Sequence, residues 1–395
     1  MQIMQSRGML ALLTLVGALG GAPAAAYDGL VEKKVFELPS YTTVGGQPIG
    51  SVRIGWESYG TLNAAKDNAI LIAHYFSGNS HAAGKYAPED KAPGYWDAII
   101  GSGKAVDTDK WFVISSDTLV NLNPNDPKVV TTGPATVDPK TGKPYGLSFP
   151  LVTIRDFVHV QKALLEGLGI QKLHAVMGAS MGARQALEWA SAYPDMVDRI
   201  VPVVGGTQNA AFQIGWFDAW AQPIMLDPKW NNGDYYGKEP PLDGLALALK
   251  ILTLHANYWE WADQAFGSAW AEEGKDPRAA LANQYKVEAE LDAIGRTRAK
   301  TADANHFLYL VKAIQMDAAA TAPEAELAGI DAAVLMIAAK DDILNFPAQM
   351  KRTAELIQAD GTPVEFVEID GPRGHVDGIV NIRLAGDRIK TFLER

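Results

Sequence analysis

A chain of 395 residues with 48% hydrophobic and 21% charged positions has an ordinary globular composition and is long enough for one large core with insertions. Its net charge of −11 argues against nucleic acid or an anionic membrane surface as a partner. The 7 histidines are scattered without H-E-x-x-H spacing, and there is no cysteine, so no metal, cofactor or disulfide is expected.

In chain order, the first feature is an address. Arg7 supplies a positive flank, residues 9–19 are mostly apolar, and Ala24-Ala25-Ala26 provides the small residues of a cleavage site. Residues 1–26 therefore read as a signal peptide, with the mature chain starting near Tyr27 in the periplasm or outside the cell. The apolar stretch is too short for stable membrane insertion and Pro23 would end it, although an uncleaved anchor is the rival reading.

Beyond that point, short apolar runs at 69–73, 111–115, 173–177, 200–204, 333–338 and 364–369 read as strands. Helical patterns at 154–168, 183–192 and 348–358 separate several of them. The alternation predicts an α/β fold with a mostly parallel sheet covered by helices on both faces. From about 207 to 320 the character changes: tryptophan and alanine become dense, and helical patterns such as 244–255 follow one another. This segment is expected to be a helical lid dividing the core into 27–206 and 321–395. Trp216, Trp220, Trp230, Trp259, Trp261 and Trp270 could line a pocket there, though helix–helix packing is expected to claim most of them.

Between strand 173–177 and helix 183–192 lies Gly178-Ala179-Ser180-Met181-Gly182, a serine with glycine two before and two after it. A strand, a five-residue turn and a helix make a nucleophile elbow, which lifts a serine Oγ out at the end of a sheet. Such a turn needs glycines because Cβ atoms could not pass the neighbouring backbone. A nucleophilic serine also needs a base and an orienting acid, each on the loop after a later strand. Strand 333–338 is followed by Lys340-Asp341-Asp342, and strand 364–369 by a loop ending in His375. His375 is therefore the expected base and Asp342 the expected acid, with Asp341 kept open because loop register cannot be read from sequence. The remaining histidines lie too early in the chain for this role, His74 and His81 being the best candidates for any other. The oxyanion donors are expected to be the backbone N–H groups of Met181 and of Phe76, in the loop His74-Tyr75-Phe76-Ser77-Gly78.

A longer series of motifs then becomes specific. Glu57-Ser58-Tyr59-Gly60-Thr61-Leu62-Asn63, Trp96-Asp97, the run Gly101-Ser102-Gly103-Lys104-Ala105-Val106-Asp107-Thr108, Thr132-Gly133-Pro134 and Thr153-Ile154-Arg155-Asp156 precede the elbow. Gln185-Ala186-Leu187-Glu188-Trp189-Ala190, Tyr193-Pro194, Asp227-Pro228 and Trp230 follow it. The chain resembles the homoserine O-acetyltransferase branch of the α/β-hydrolase superfamily over nearly its whole mature length. The resemblance implies an α/β-hydrolase fold with a helical lid, a triad of Ser180, Asp342 and His375, and ping-pong transfer of acetyl from acetyl-CoA to homoserine through an acyl-serine.

Departures from that family bear on substrate. By resemblance, an arginine and, seven residues later, a tyrosine on a lid helix help to hold homoserine; Leu249 and Ala256 stand at those places. An aspartate expected directly after the histidine is replaced by Val376, with Asp377 one place late. Each lost charged hydrogen bond costs about 1.5–3 kcal/mol, so homoserine is not the expected substrate. Arg184, in the stretch Gly182-Ala183-Arg184 where the family has Gly-Gly-Met, is expected to make a surface i, i+4 contact with Glu188.

The functional expectation is an exported serine hydrolase acting on a relatively apolar, small-molecule carboxylic ester through an acyl-serine. An O-acyltransferase with a different acceptor alcohol is the alternative, and a non-catalytic binding protein on the same fold is a third reading. Oligomeric state is left open between monomer and homodimer.

Overall fold

The computed structural model describes residues 29–207, 211–317 and 327–395; the expected signal peptide lies outside them. Eight strands form the main sheet: β1 (Lys34–Leu38), β2 (Val52–Tyr59), β3 (Ala69–Ala73), β4 (Phe112–Ser116), β5 (Ala175–Ala179), β6 (Arg199–Val203), β7 (Ala333–Ala339) and β8 (Val364–Ile369). Their order across the sheet is β1-β2-β4-β3-β5-β6-β7-β8. β1–β2 and β2–β4 are antiparallel, and every later neighbour is parallel. The mostly parallel sheet is what the alternation of runs predicted, and the architecture is the α/β-hydrolase fold that the family resemblance implied.

Why the parallel strands β3, β5 and β7 are apolar throughout follows from where their two faces go. Leu71 of β3 packs into one core cluster and Ile70 and Ile72 into the other; in β7, Val334, Met336 and Ala338 oppose Leu335, Ile337 and Ala339. Side chains alternate with period two, and both faces are covered, so no polar position is left. Burying each such Val, Leu or Ile contributes roughly 1.5–3 kcal/mol. The helix α1 (Ile154–Gly167) covers one face together with α2 (Met181–Ala192). α1 starts where it does because Thr153 and Asp156 form a reciprocal cap, with Thr153 N–H donating to Asp156 Oδ2 at 2.6 Å. The second Asp156 oxygen accepts from the Tyr41 hydroxyl at 2.6 Å and the Val44 amide at 2.7 Å, so one carboxylate ties the N-terminal segment to the helix.

Between β6 and β7 the chain leaves the sheet. Helices α3 (Ala211–Leu226), α4 (Leu242–His255), α5 (Trp259–Ala265), α6 (Lys286–Ala299) and α7 (Ala304–Gln315) lie in this segment. After β7, α8 (Pro347–Ala359) returns the chain to β8, and α9 (Gly386–Leu393) closes the second face. The functional loops all leave the C-terminal ends of β3, β5, β7 and β8, where open α/β sheets hold their ligands.

The structure corrects two expectations. β5 runs to Ala179 and α2 starts at Met181, so the turn is one residue, Ser180, and not five. Leu173 is only bridged to Val197, ahead of the strand. Arg184 is buried rather than superficial: only 3% exposed, it pairs with Asp317 at 2.9 Å and links α2 to the end of the lid. Glu188 in turn is bonded by Arg155 of α1.

Candidate active site

Ser180 carries the site's strain. Its φ of +57° and ψ of −116° lie in a region that costs a non-glycine residue on the order of 1–3 kcal/mol. The main chain holds it there: Ser180 N–H donates to Val203 O at 2.8 Å, and Ala183 N–H donates to Ser180 O at 2.9 Å. Neither flanking glycine has a positive φ; both are needed for close approach. A Cβ on Gly178 would stand 2.4 Å from Gly182 O and 2.7 Å from Ala73 O, and one on Gly182 only 2.1 Å from Ala73 O. The elbow therefore rests directly on the last carbonyl of β3.

The loops after β7 and β8 bring the other two groups together. His375 Nε2 lies 2.9 Å from Ser180 Oγ, and His375 Nδ1 lies 2.8 Å from Asp342 Oδ2. Asp342 is 2% exposed, and its Oδ1 accepts from the Leu344 and Asn345 amides, both at 2.8 Å. Of the two adjacent aspartates, Asp342 is the one that meets the imidazole. With Asp342 ionised, Nδ1 carries the proton and Nε2 is free to accept from the serine hydroxyl.

A cavity of about 360 Å³ opens on Ser180 and His375. Tyr75, Phe76 and Ser77 from the loop after β3 form one side of it. Phe76 is fixed by edge contacts to Phe307 at 5.2 Å and Trp220 at 5.9 Å. Neither the Met181 nor the Phe76 backbone N–H has an acceptor among the described residues. The lid supplies Trp220, Leu252, Thr253, Ala256, Asn257 and Arg298, and the loop before His375 supplies Arg373. Of the six lid tryptophans, only Trp220 lines this cavity. Trp230 is buried and donates to Asn305 Oδ1 at 2.9 Å, while Trp259 and Trp270 are exposed.

Of the three departures noted in the sequence, Ala256 and Val376 face the cavity, whereas Leu249 is fully buried in the core. Asp377 faces away from it: its carboxylate accepts from the Arg373 amide at 2.8 Å and the Asn381 side chain at 2.6 Å. Sequence reasoning missed Arg298, Arg373 and His255. They come from separate segments, and only Arg373, two residues before His375, stands beside a residue that the sequence singled out.

Three histidines beside the site are structural in their contacts. His74 is wholly buried between Tyr75 O and the Thr118 amide, and His81 pairs with Glu57 at 3.0 Å. His255 stacks on Trp216 at 4.1 Å, and its Nδ1 has no partner among the described residues. Burial pulls His74 down to about 4; burial, then the neighbouring His375, pulls His255 down to about 4. An unfolded histidine titrates near 6.5, so as pH falls the unfolded chain takes up these protons first. The stability that each neutral ring contributes is complete above about pH 6.5 and is lost between about 6.5 and 4. Urea midpoints measured from about pH 7 down to about 4.5 should fall, and His255→Phe should make that fall shallower. An unchanged slope in the variant would remove His255 from the account.

Comparison with known proteins extends the picture. A model of the α/β hydrolase fold matches residues 131–381. The homoserine O-acetyltransferase of Symbiobacterium thermophilum is 40% identical over 355 residues, covering 88% of this chain and 90% of that protein. Among solved structures, esterase E22 is 48% identical with a TM-score of 0.88, covering 92% of this chain and 100% of that one. The homoserine O-acetyltransferase from Bacillus anthracis is 36% identical with a TM-score of 0.88, covering 93% and 98% respectively. Similarity thus runs both to a protein named for hydrolysis and to proteins named for transfer.

Proposed function

Because the chain belongs to the homoserine O-acetyltransferase family of the α/β-hydrolase superfamily, we propose that it forms an acyl-serine at Ser180 and hydrolyses a carboxylic ester through it. The observation that carries water over homoserine as acceptor is the cavity wall. Ala256 and Val376 face the serine where the family resemblance implies polar amino-acid contacts, and Asp377 faces away. A bound homoserine ammonium would have no carboxylate from these positions.

The geometry supports the following sequence. Ser180 Oγ attacks the ester carbonyl carbon as its proton passes to His375 Nε2, 2.9 Å away. The Met181 and Phe76 amides receive the oxyanion; one such donor contributes about 10²–10³ in kcat. The bond from carbon to the alcohol oxygen then breaks, and that oxygen takes the proton from Nε2. Water attacks the acyl-serine, gives a proton to His375, and the acid departs as Ser180 recovers its hydrogen. Asp342 stabilises the imidazolium in both halves of the reaction.

The second reading is transfer of the acyl group to an alcohol other than homoserine. The names of the curated relatives support it more strongly than they support hydrolysis. The triad does not choose between the two; the shape and dryness of the site do. Incubation with acetyl-CoA and a panel of alcohols, homoserine included, separates the readings. Hydrolysis predicts slow thiol release that ignores the alcohol, alongside rapid turnover of an activated ester. Acceptor-dependent thiol release faster than ester hydrolysis would establish transfer instead.

A further inference from the structure

Two arginines line the cavity that opens on Ser180, and neither guanidinium forms an ion pair with a carboxylate among the described residues. They arrive from opposite parts of the chain, Arg298 from α6 and Arg373 from the loop that carries His375. Both are held by the same end of α4. Arg298 Nη1 donates to Thr253 Oγ1 at 2.8 Å, and Arg373 Nε donates to Asn257 Oδ1 at 2.9 Å. Asn257 Nδ2 donates in turn to Thr253 O at 2.7 Å. Thr253 lies in the last turn of α4 and Asn257 two residues beyond its end, joined by that bond. The two cations are therefore fixed to neighbouring points of one wall, with Trp261 5.2 Å beneath Arg373. Each guanidinium has donated one N–H to these anchors and has five in all. Asp377, the acid whose charge Arg373 feels, is engaged by backbone and Asn381. In a protein of net charge −11, two partly buried arginines without ion-pair partners beside the nucleophile call for an anion.

We propose that Arg298 and Arg373 are specificity-determining residues that hold a free carboxylate on the substrate, and that this substrate lacks the ammonium group of an amino acid. This rests on Ser180 being the nucleophile, and it replaces the apolar substrate expected from the lid aromatics.

The test uses esters that differ only in charge: 4-acetoxybutanoate against its methyl ester, monoethyl against diethyl succinate, and O-acetylhomoserine. In the wild-type protein the free acid of at least one pair should have the higher kcat/KM by roughly ten- to a hundredfold, the value of a charged hydrogen bond. Arg298→Gln and Arg373→Gln should remove that preference, raising KM for the free acid about ten- to a hundredfold more than KM for the neutral ester. O-acetylhomoserine should be poorer than 4-acetoxybutanoate, because its ammonium finds no acid. Equal use of acid and neutral ester by the wild type would overturn the proposal while leaving Ser180 as nucleophile. So would variants that lose both esters alike. No turnover of any ester, with no fluorophosphonate labelling of Ser180, would overturn both.

Discussion

Ser180→Ala should lower kcat for a small activated ester by about 10⁶-fold, the loss seen when a serine nucleophile is removed from a cooperating triad. What remains should be the contribution of the oxyanion donors and of binding, because the Met181 and Phe76 amides are untouched by the substitution. The fold should survive: alanine inherits the positive φ, and the main-chain bonds to Val203 and Ala183 do not involve the hydroxyl. Stopped-flow release of the alcohol, with thermal unfolding as a control, measures both. Near wild-type turnover in a folded variant would remove Ser180 from the mechanism.

Asp342→Asn should cost on the order of 10⁴ in kcat with little change in stability. The direction follows from how Asp342 is held. Its Oδ1 accepts two backbone amides, from Leu344 and Asn345, so an asparagine must place its oxygen there and turn its NH₂ toward His375. That NH₂ can only donate, so Nδ1 must accept and the ring proton moves to Nε2. An imidazole protonated at Nε2 cannot take the serine proton. Asp341→Asn provides the control and should retain turnover within a few-fold. If the large loss appears there instead, the acid is one residue earlier than the geometry places it.

The parallel half of the sheet was legible because β3, β5 and β7 are buried on both faces and read as unbroken apolar runs. β1 and β2 were not, since β1 lies at the sheet edge with Lys34 and Glu37 in it and its burial only alternates between partial and none. The three site residues were legible for a related reason: each follows directly on a strand that the hydrophobic pattern had already located. Arg298, Arg373, Thr253 and Asn257 lie on no such landmark. Their relation exists only once α4 and α6 are stacked and the loop before His375 is folded onto them. An arginine two residues before the histidine was the one signal available. Arg184 was misjudged because an i, i+4 partner on its own helix was visible, whereas Asp317 lies 133 residues away.

The contact of Gly178 and Gly182 with the carbonyl of Ala73 has a consequence for how such a protein can change over evolutionary time. The spacing between Ser180 and the loop after β3 is set by main chain against main chain, so no side chain is available to drift and spoil it. The roof and the flanking wall are the opposite: they are made of side chains such as Ala256, Val376, Arg298 and Arg373, each replaceable alone. A lineage built this way can trade one acceptor for another without retuning its reactive centre. Proteins named for opposite fates of the same acyl group can therefore share one scaffold.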